Sequence, residues 1–414
     1  MSFRTLRAAA LAAALVAAAV PALAAAAPLS FDQALSLAVQ RSEAAHAGRA
    51  AAASAGEAAR AAGQLPDPML RVGVDNLPVT GADRFSTTRE SMTMKRIGLS
   101  QEWLPAEKRA AREGAAWALA EREAVQGRAA EAEARLQVAL AYVDAWYAGE
   151  ALKLTVQTEH HLLEALETAR ARMAAAAGGS AEVLQLAAAR GVAEDDSDEA
   201  RQLQASALVG VQRWVGFLPE SLAAAPVLHP PTEPDYLAAH PAVLALQREL
   251  ELARRGAAVA ASERRPNWTW EVSYGQRSGY SDLVSFGVSI PLQVAPSRRQ
   301  DRETAARLAL VDKAEAELAE AARVAGADYQ ALASDAARLQ QRIDRYGAAV
   351  ATPAQQRTAA ALAAYRANQL PLAALFEARH AEVEAQRKLL SLQRDLARAQ
   401  AQLSFKPIPE GGAQ

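Results

Sequence analysis

Four short runs in this chain alternate apolar and polar residues, and they come in two widely separated pairs. Leu70, Val72 and Val74 alternate with Arg71, Gly73 and Asp75, and Ile97 and Leu99 with Arg96, Gly98 and Ser100. Trp268, Trp270, Val272 and Tyr274 alternate with Asn267, Thr269, Glu271 and Ser273; Val284, Phe286, Val288 and Ile290 alternate with Ser285, Gly287 and Ser289. A period of two marks a strand with unlike faces. Two such hairpins suit a soluble sheet with one buried face, or part of a transmembrane barrel that is apolar outside and polar inside. Four strands cannot close a barrel, for which about eight is the practical minimum. Two chains would give eight strands around a lumen filled by side chains, and three would give twelve around a water-filled bore.

Residues 1–24 read as a signal peptide and favour the barrel. Arg4 and Arg7 precede the apolar stretch Ala8 to Val20, and Ala22-Leu23-Ala24 is a small-x-small cleavage site. A retained membrane anchor is the alternative, for which the apolar run is short. No later stretch reaches the ~20 apolar residues of a spanning helix, so a membrane crossing falls to the strands. The chain has no cysteine, which excludes disulfides, thiolate metal sites and a lipid on a post-signal cysteine. Its net charge of −2 lacks the basic excess of a nucleic-acid protein. Much of the apolar content is alanine, which forms helices well and buries little area, so long, closely packed helices are expected rather than a thick core.

The rest of the chain is a duplication. Gln64-Leu65-Pro66-Asp67-Pro68 before the first hairpin corresponds to Arg265-Pro266-Asn267 before the second, and Ile97-Gly98-Leu99-Ser100 to Phe286-Gly287-Val288-Ser289. Lys108-Arg109 corresponds to Arg298-Arg299, and Gly178-Gly179-Ser180 to Asn368-Gln369-Leu370-Pro371. A repeat of about 190 residues is a duplicated domain, not a solenoid. The first unit covers 25–218 with a hairpin at about 69–103; a Pro-rich linker covers 219–240; the second unit covers 241–405 with a hairpin at about 267–292; a tail covers 406–414. Each unit reads helix, strand, strand, long helix, break, helix. Ser30 with Gln33 forms a capping box for a first helix to about Gly63, and a long helix runs from Pro105 to about Ala176. The others cover about 180–215, 241–264, 297–364 and 372–404. The long helix would span roughly 106 Å at 1.5 Å per residue, and the two shorter ones laid end to end match it. The fold expected is mainly α with a β-barrel part: a layer of antiparallel rods and, in a trimer, twelve strands at one end.

These residues resemble the TolC family of outer-membrane efflux ducts over nearly the whole mature chain. Leu29-Ser30-Phe31-Asp32-Gln33-Ala34-Leu35 is similar to the family's start. Leu65 to Leu70, Asp75-Asn76-Leu77-Pro78, and Met92 to Gln101 followed by Lys108-Arg109 resemble the heavy-metal branch, the cobalt–zinc–cadmium and copper–silver resistance ducts. Leu104-Pro105-Ala106-Glu107 stands where that branch usually has a proline–glycine pair. The resemblance implies a homotrimer in the outer membrane with a periplasmic helical barrel and no cofactor. Its partners would be a periplasmic adaptor and a proton-driven inner-membrane pump of the RND type. It implies a gate that opens by an iris-like shift of helix pairs at the periplasmic tip.

The same resemblance assigns sites. Gly178, Gly179, Ser180, Asn368, Gln369, Leu370 and Pro371 match the adaptor-contacting tips; as turn formers, Gly and Asn also tolerate a left-handed cap. Glu182 and Glu377 match acidic positions at the pore constriction, where three copies of each would attract cations; the plainer alternative is a solvated helix glutamate. Tyr365 matches a gating tyrosine whose usual basic partner position is Leu370 here. Trp268, Trp270, Tyr274 and Tyr280 suit an interfacial aromatic belt. His160-His161 lack the i,i+4 spacing of a zinc pair. Met92 and Met94 share a strand face suited to packing or to soft copper(I), and Glu194 to Glu199 reads as a solvated charge run.

The function expected is a passive duct for heavy-metal cations in a tripartite pump. The alternatives are a related duct for organic compounds or type I protein secretion, and a structural or adaptor protein of the periplasm. No nucleophile–base pair, metal cluster or phosphate loop suggests an enzyme.

Overall fold

The computed structural model describes residues 27–176, 178–367 and 369–409, so the signal-peptide reading of 1–24 and the tip residue Asn368 lie outside the described residues. The first unit runs α1 (Phe31–Arg41), α2 (Glu43–Ala62), β1 (Met69–Asp75), β2 (Met94–Trp103), α3 (Ala106–Ala174) and α4 (Ser180–Val215). Within the linker lies a short α5 (Glu233–Ala238), followed by α6 (Pro241–Ser262), β3 (Trp268–Arg277), β4 (Leu283–Ser289), α7 (Gln300–Tyr346), α8 (Thr352–Arg366) and α9 (Leu372–Phe405). No described helix is long and apolar enough to cross a membrane. The molecule is mainly α with one four-stranded antiparallel sheet.

Two helices expected to be continuous are interrupted. The first breaks at Ser42, whose hydroxyl accepts the Ala45 N–H at 3.2 Å and starts α2, because serine satisfies a free helix amide better as a cap than inside a helix. The second carries a π-helical stretch, Gly347–Ala351, between α7 and α8. At the chain start the predicted capping box forms: Ser30 Oγ accepts the Gln33 N–H at 3.2 Å, and Gln33 Oε1 accepts the Ser30 N–H at 3.1 Å.

α3 has 69 residues, so the rod is roughly 100 Å long. It packs on α2 along one part and on α4 along another; α7 packs likewise on α6 and α9. Alanine sets the close spacing, and Gly48 sets the closest: a Cβ there would lie 2.5 Å from Gly127 Cα across the α2–α3 contact. At mid-height Phe31 meets Tyr142 edge-on at 5.2 Å, among Val138, Val211 and Val215. The Tyr142 hydroxyl lies 2.8 Å from the carbonyls of both Leu29 and Ala223, tying the chain start to the linker, and burial pushes its pKa up to about 12.

A buried lysine marks the place where rods become strands. Lys108, 2% exposed, donates to Glu263 Oε2 and to Asn267 Oδ1, both at 2.8 Å. Asn267 donates on to Glu102 at 2.7 Å, and Arg112 reaches the other Glu263 oxygen at 3.0 Å. Burial opposes ionisation of Glu263, but hydrogen bonds from Lys108 and Arg112 outweigh it and hold the carboxyl below its ordinary range. The network joins the two units, since Lys108 belongs to one and Glu263 and Asn267 to the other.

Candidate functional site

The sheet has the order β1-β2-β3-β4, every pair antiparallel. The central pairing, β2 with β3, runs from Met94↔Arg277 to Trp103↔Trp268, so the two units meet inside the sheet. β2 and β3 have ten residues each; β1 and β4 have only seven. Leu70, Val72, Val74, Ile97, Leu99, Trp103, Trp268, Trp270, Val272, Tyr274, Val284, Phe286 and Val288 share one face by register. The other carries Arg71, Gly73, Asp75, Arg96, Gly98, Ser100, Glu271, Ser273, Gly275 and Gly287.

The burial of these faces is inverted. Val72 is 74% and Phe286 70% exposed, whereas Ser100 is 1% and Ser273 5% exposed. The polar face is buried along β2 and β3, where it carries the small residues Gly98, Ser100, Ser273 and Gly275, and it bears the ion pairs Arg71–Glu271 (3.1 Å) and Arg96–Asp75 (2.9 Å). A soluble sheet buries its apolar face; this one presents that face outward over the full length of four strands, as a lipid-facing wall does.

The four aromatic residues expected to form a belt lie at different levels of the sheet. Trp268 and Trp270 lie at the helix end of the apolar face, Tyr274 lies farther along it, and Tyr280 is in the hairpin turn beyond β3. Trp103 joins them, its ring 5.9 Å from that of Trp268. Sequence reading passed it over, although it continues the alternation Ile97, Leu99, Gln101. Met92 and Met94 do not share a strand: β2 begins at Met94, which lies in register on the polar face, its sulfur close over Gly275.

The opposite end of the molecule is the tip. α3 ends at Ala174, and the left-handed residue of its turn is Ala176 (φ 56°), not a glycine. Gly179 caps α4 in an extended conformation, and Gly178 is placed by close approach, since a Cβ there would meet Met173 N at 3.2 Å. In the second turn Gln369 N–H donates to Ala364 O at 2.9 Å, Leu370 follows, and Pro371 caps α9. Leu162, Leu166 and Ala169 of α3, Leu186 and Ala193 of α4, and Leu372 and Leu375 of α9 form one apolar cluster, with Tyr365 packed on it. The two helical hairpins therefore close on each other at the tip.

Arg172 joins them, and sequence reading missed it. Its Nη1 donates to the Tyr365 hydroxyl at 3.0 Å and lies 3.6 Å from Glu182 Oε1. Tyr365 thus has a basic partner from α3, in place of the position that Leu370 occupies. The available signal was a basic residue in the last turn of α3, favoured there by the helix dipole. Glu182 is half-buried in the first turn of α4, while Glu377 lies exposed further into α9, so the two carboxylates have unlike surroundings. The acidic run is more than a solvated face, because Asp196 reaches Arg387 of α9 at 3.2 Å. His160 and His161 both approach Glu164, and no cluster of three metal-binding side chains occurs among the described residues.

Against known proteins, no family model and no curated protein matches this chain. Solved structures do. The CmeC outer membrane channel of Campylobacter jejuni has a TM-score of 0.74 at 12% identity, covering 91% of this chain and 85% of that one. CusC, described for its transmembrane channel formation, gives 0.73 at 14%, covering 90% and 92%. The outer membrane protein VceC of Vibrio cholerae gives 0.69 at 17%, covering 90% and 96%. The fold is that of an outer-membrane channel. In that fold the four-stranded sheet corresponds to the β-barrel part of the matched channels, and the rods with their tip correspond to the helical part.

Proposed function

We propose that this protein is the outer-membrane duct of a tripartite, proton-driven efflux pump, acting as a homotrimer that docks a periplasmic adaptor and an RND-type inner-membrane pump. The observation that carries this reading is the sheet with its apolar face outward, fixed to rods roughly 100 Å long. Four strands with two open edges need other copies for closure, and three copies supply the twelve strands of an open bore. The rods would then line a passage continuous with the barrel. Trp103, Trp268 and Trp270 would sit at the inner membrane interface, and Tyr274 and Tyr280 toward the outer one. Gly178, Gly179, Ser180, Gln369, Leu370 and Pro371 would face the adaptor.

Tip chemistry supports a gate. Arg172 bridges Tyr365 and Glu182 and so links the two hairpins, as the lock of a closed gate would, and Glu182 and Glu377 would bring carboxylates toward a shared axis. Transport is passive: nothing in this reading calls for a catalytic step. Heavy-metal cations are the proposed cargo, supported by the motif likeness of Met92 to Gln101 and Lys108-Arg109 and by the carboxylates at the tip.

The test is the sensitivity of a deletion strain. Loss of the duct is expected to sensitise cells to cobalt, zinc, cadmium, copper or silver salts and to leave tolerance of dyes and detergents unchanged. The reverse pattern would assign the duct to organic compounds.

A further inference from the structure

Among the described strand residues, the outward apolar face carries a single charged side chain, Lys95. It lies in register between Val74 of β1 and Gln276 of β3, one residue in from the outer end of β2. Gln276 is exposed beside it, and Tyr274 lies diagonally adjacent on the same face. Neither Lys95 nor Gln276 makes a side-chain hydrogen bond or ion pair with another described residue. The nearby Asp282 is already engaged, accepting from the Tyr274 hydroxyl and from the Arg277 N–H. Arg277 itself is turned onto the Tyr280 ring and the Ser281 carbonyl, adding a second positive charge at this end.

The height of Lys95 explains how a lipid-facing wall tolerates it. Eight residues separate it from Trp103, or about 26 Å along a strand, which a barrel tilt of about 40° reduces to about 20 Å of height. An apolar band is about 25 Å tall. With Trp103 at the inner interface, the Lys95 backbone would stand about 5 Å below the outer one, a gap that its extended stem can span to put the ammonium among lipid headgroups.

We propose that Lys95 and Gln276 form a binding site for the phosphate-bearing headgroup of an outer-leaflet lipid. The ammonium supplies the charge and the amide a second donor to phosphate oxygens. Val74 lies beside the site, and Ile97 and Val272 lie beneath it for the acyl chains. The three copies of a closed trimer would carry three such sites around the barrel. This proposal rests on the barrel reading given under Proposed function.

The test uses the assembled protein in phosphatidylcholine nanodiscs titrated with diphosphoryl lipid A. Lys95→Gln is expected to weaken retention about fivefold, the gain a single surface lysine gives toward an anionic headgroup, and Lys95→Arg to retain it. Inorganic pyrophosphate should not displace the lipid. Equal retention by Lys95→Gln, or full displacement by pyrophosphate, overturns the assignment. Brominated lipid serves as the control for the barrel itself: it should quench the fluorescence of Trp103, Trp268 and Trp270 in every variant. Quenching without a Lys95 effect refutes the lipid site alone, whereas absence of quenching refutes the barrel placement.

Discussion

His240 is buried at the start of α6, its ring 5.5 Å from Tyr236, which in turn stacks near Tyr329 at 5.2 Å. Lys406, bonded to Asp328 at 2.9 Å, brings the C-terminal segment against the same site. Burial lowers the histidine's proton affinity, the Lys406 charge lowers it further, and Asp328 only partly restores it. Unfolded chains therefore bind this proton more readily than folded ones. Stability is complete above the ordinary histidine value of about 6.5 and is lost as pH falls below it toward the lowered folded value, by at most about 1.4 kcal/mol per pH unit. Denaturation midpoints measured at pH 7.5 and 5.5 should show this loss, and His240→Phe, which keeps an aromatic ring but cannot titrate, should show a smaller one. Lys108 invites a different test. Lys108→Met strands Asn267 and one oxygen of Glu263; because Glu263 is 36% exposed and water can reach it, the expected loss is about 1–3 kcal/mol, read as a lower melting temperature.

Elements differ in how much of them the residues announced. The long rods and the four strands were legible because their periods, near 3.6 and 2, persist for many residues. The break at Ser42 was not, since one serine in an alanine-rich run carries no period, and its preference for a cap shows only when neighbouring helices fix the angle. The π stretch at 347–351 has no distinctive residue beyond Gly347. At the tip, the turns were legible but their partner was not: Arg172 and Tyr365 are 193 residues apart, and only the packing of two hairpins brings them together. That contact is open to electrophysiology. Arg172→Gln should raise resting conductance in planar bilayers, Tyr365→Phe should do so less, and the double variant should add little to the first, because both remove one link. In the sheet, cysteine at 271 should react with an aqueous thiol reagent in the assembled protein while cysteine at 270 stays protected; the opposite pattern would place the strand register on the wrong faces.

At the scale of the whole molecule, the measurement that matters is mass. Mild detergent extraction followed by native mass measurement should give a trimer, and a monomer or dimer would contradict the proposed bore. Neutralising Glu182 and Glu377 together, both to Gln, should leave trimer yield unchanged while lowering cation selectivity and weakening block by multivalent cations from the periplasmic side. Unchanged selectivity and block would make them ordinary surface carboxylates.

The two short edge strands, β1 and β4, have a genetic consequence. In the proposed trimer each chain would offer one edge to each neighbour, so every subunit in the closed ring would be needed by both of the others. A protomer whose β4 cannot pair still has a sound β1 and can enter a ring that it cannot complete. In a cell making normal and defective chains in equal amounts, random mixing into threes leaves only about one ring in eight wholly normal. An allele that damages an edge strand should therefore be dominant, whereas a null allele, which removes chains without spoiling the rest, should be recessive.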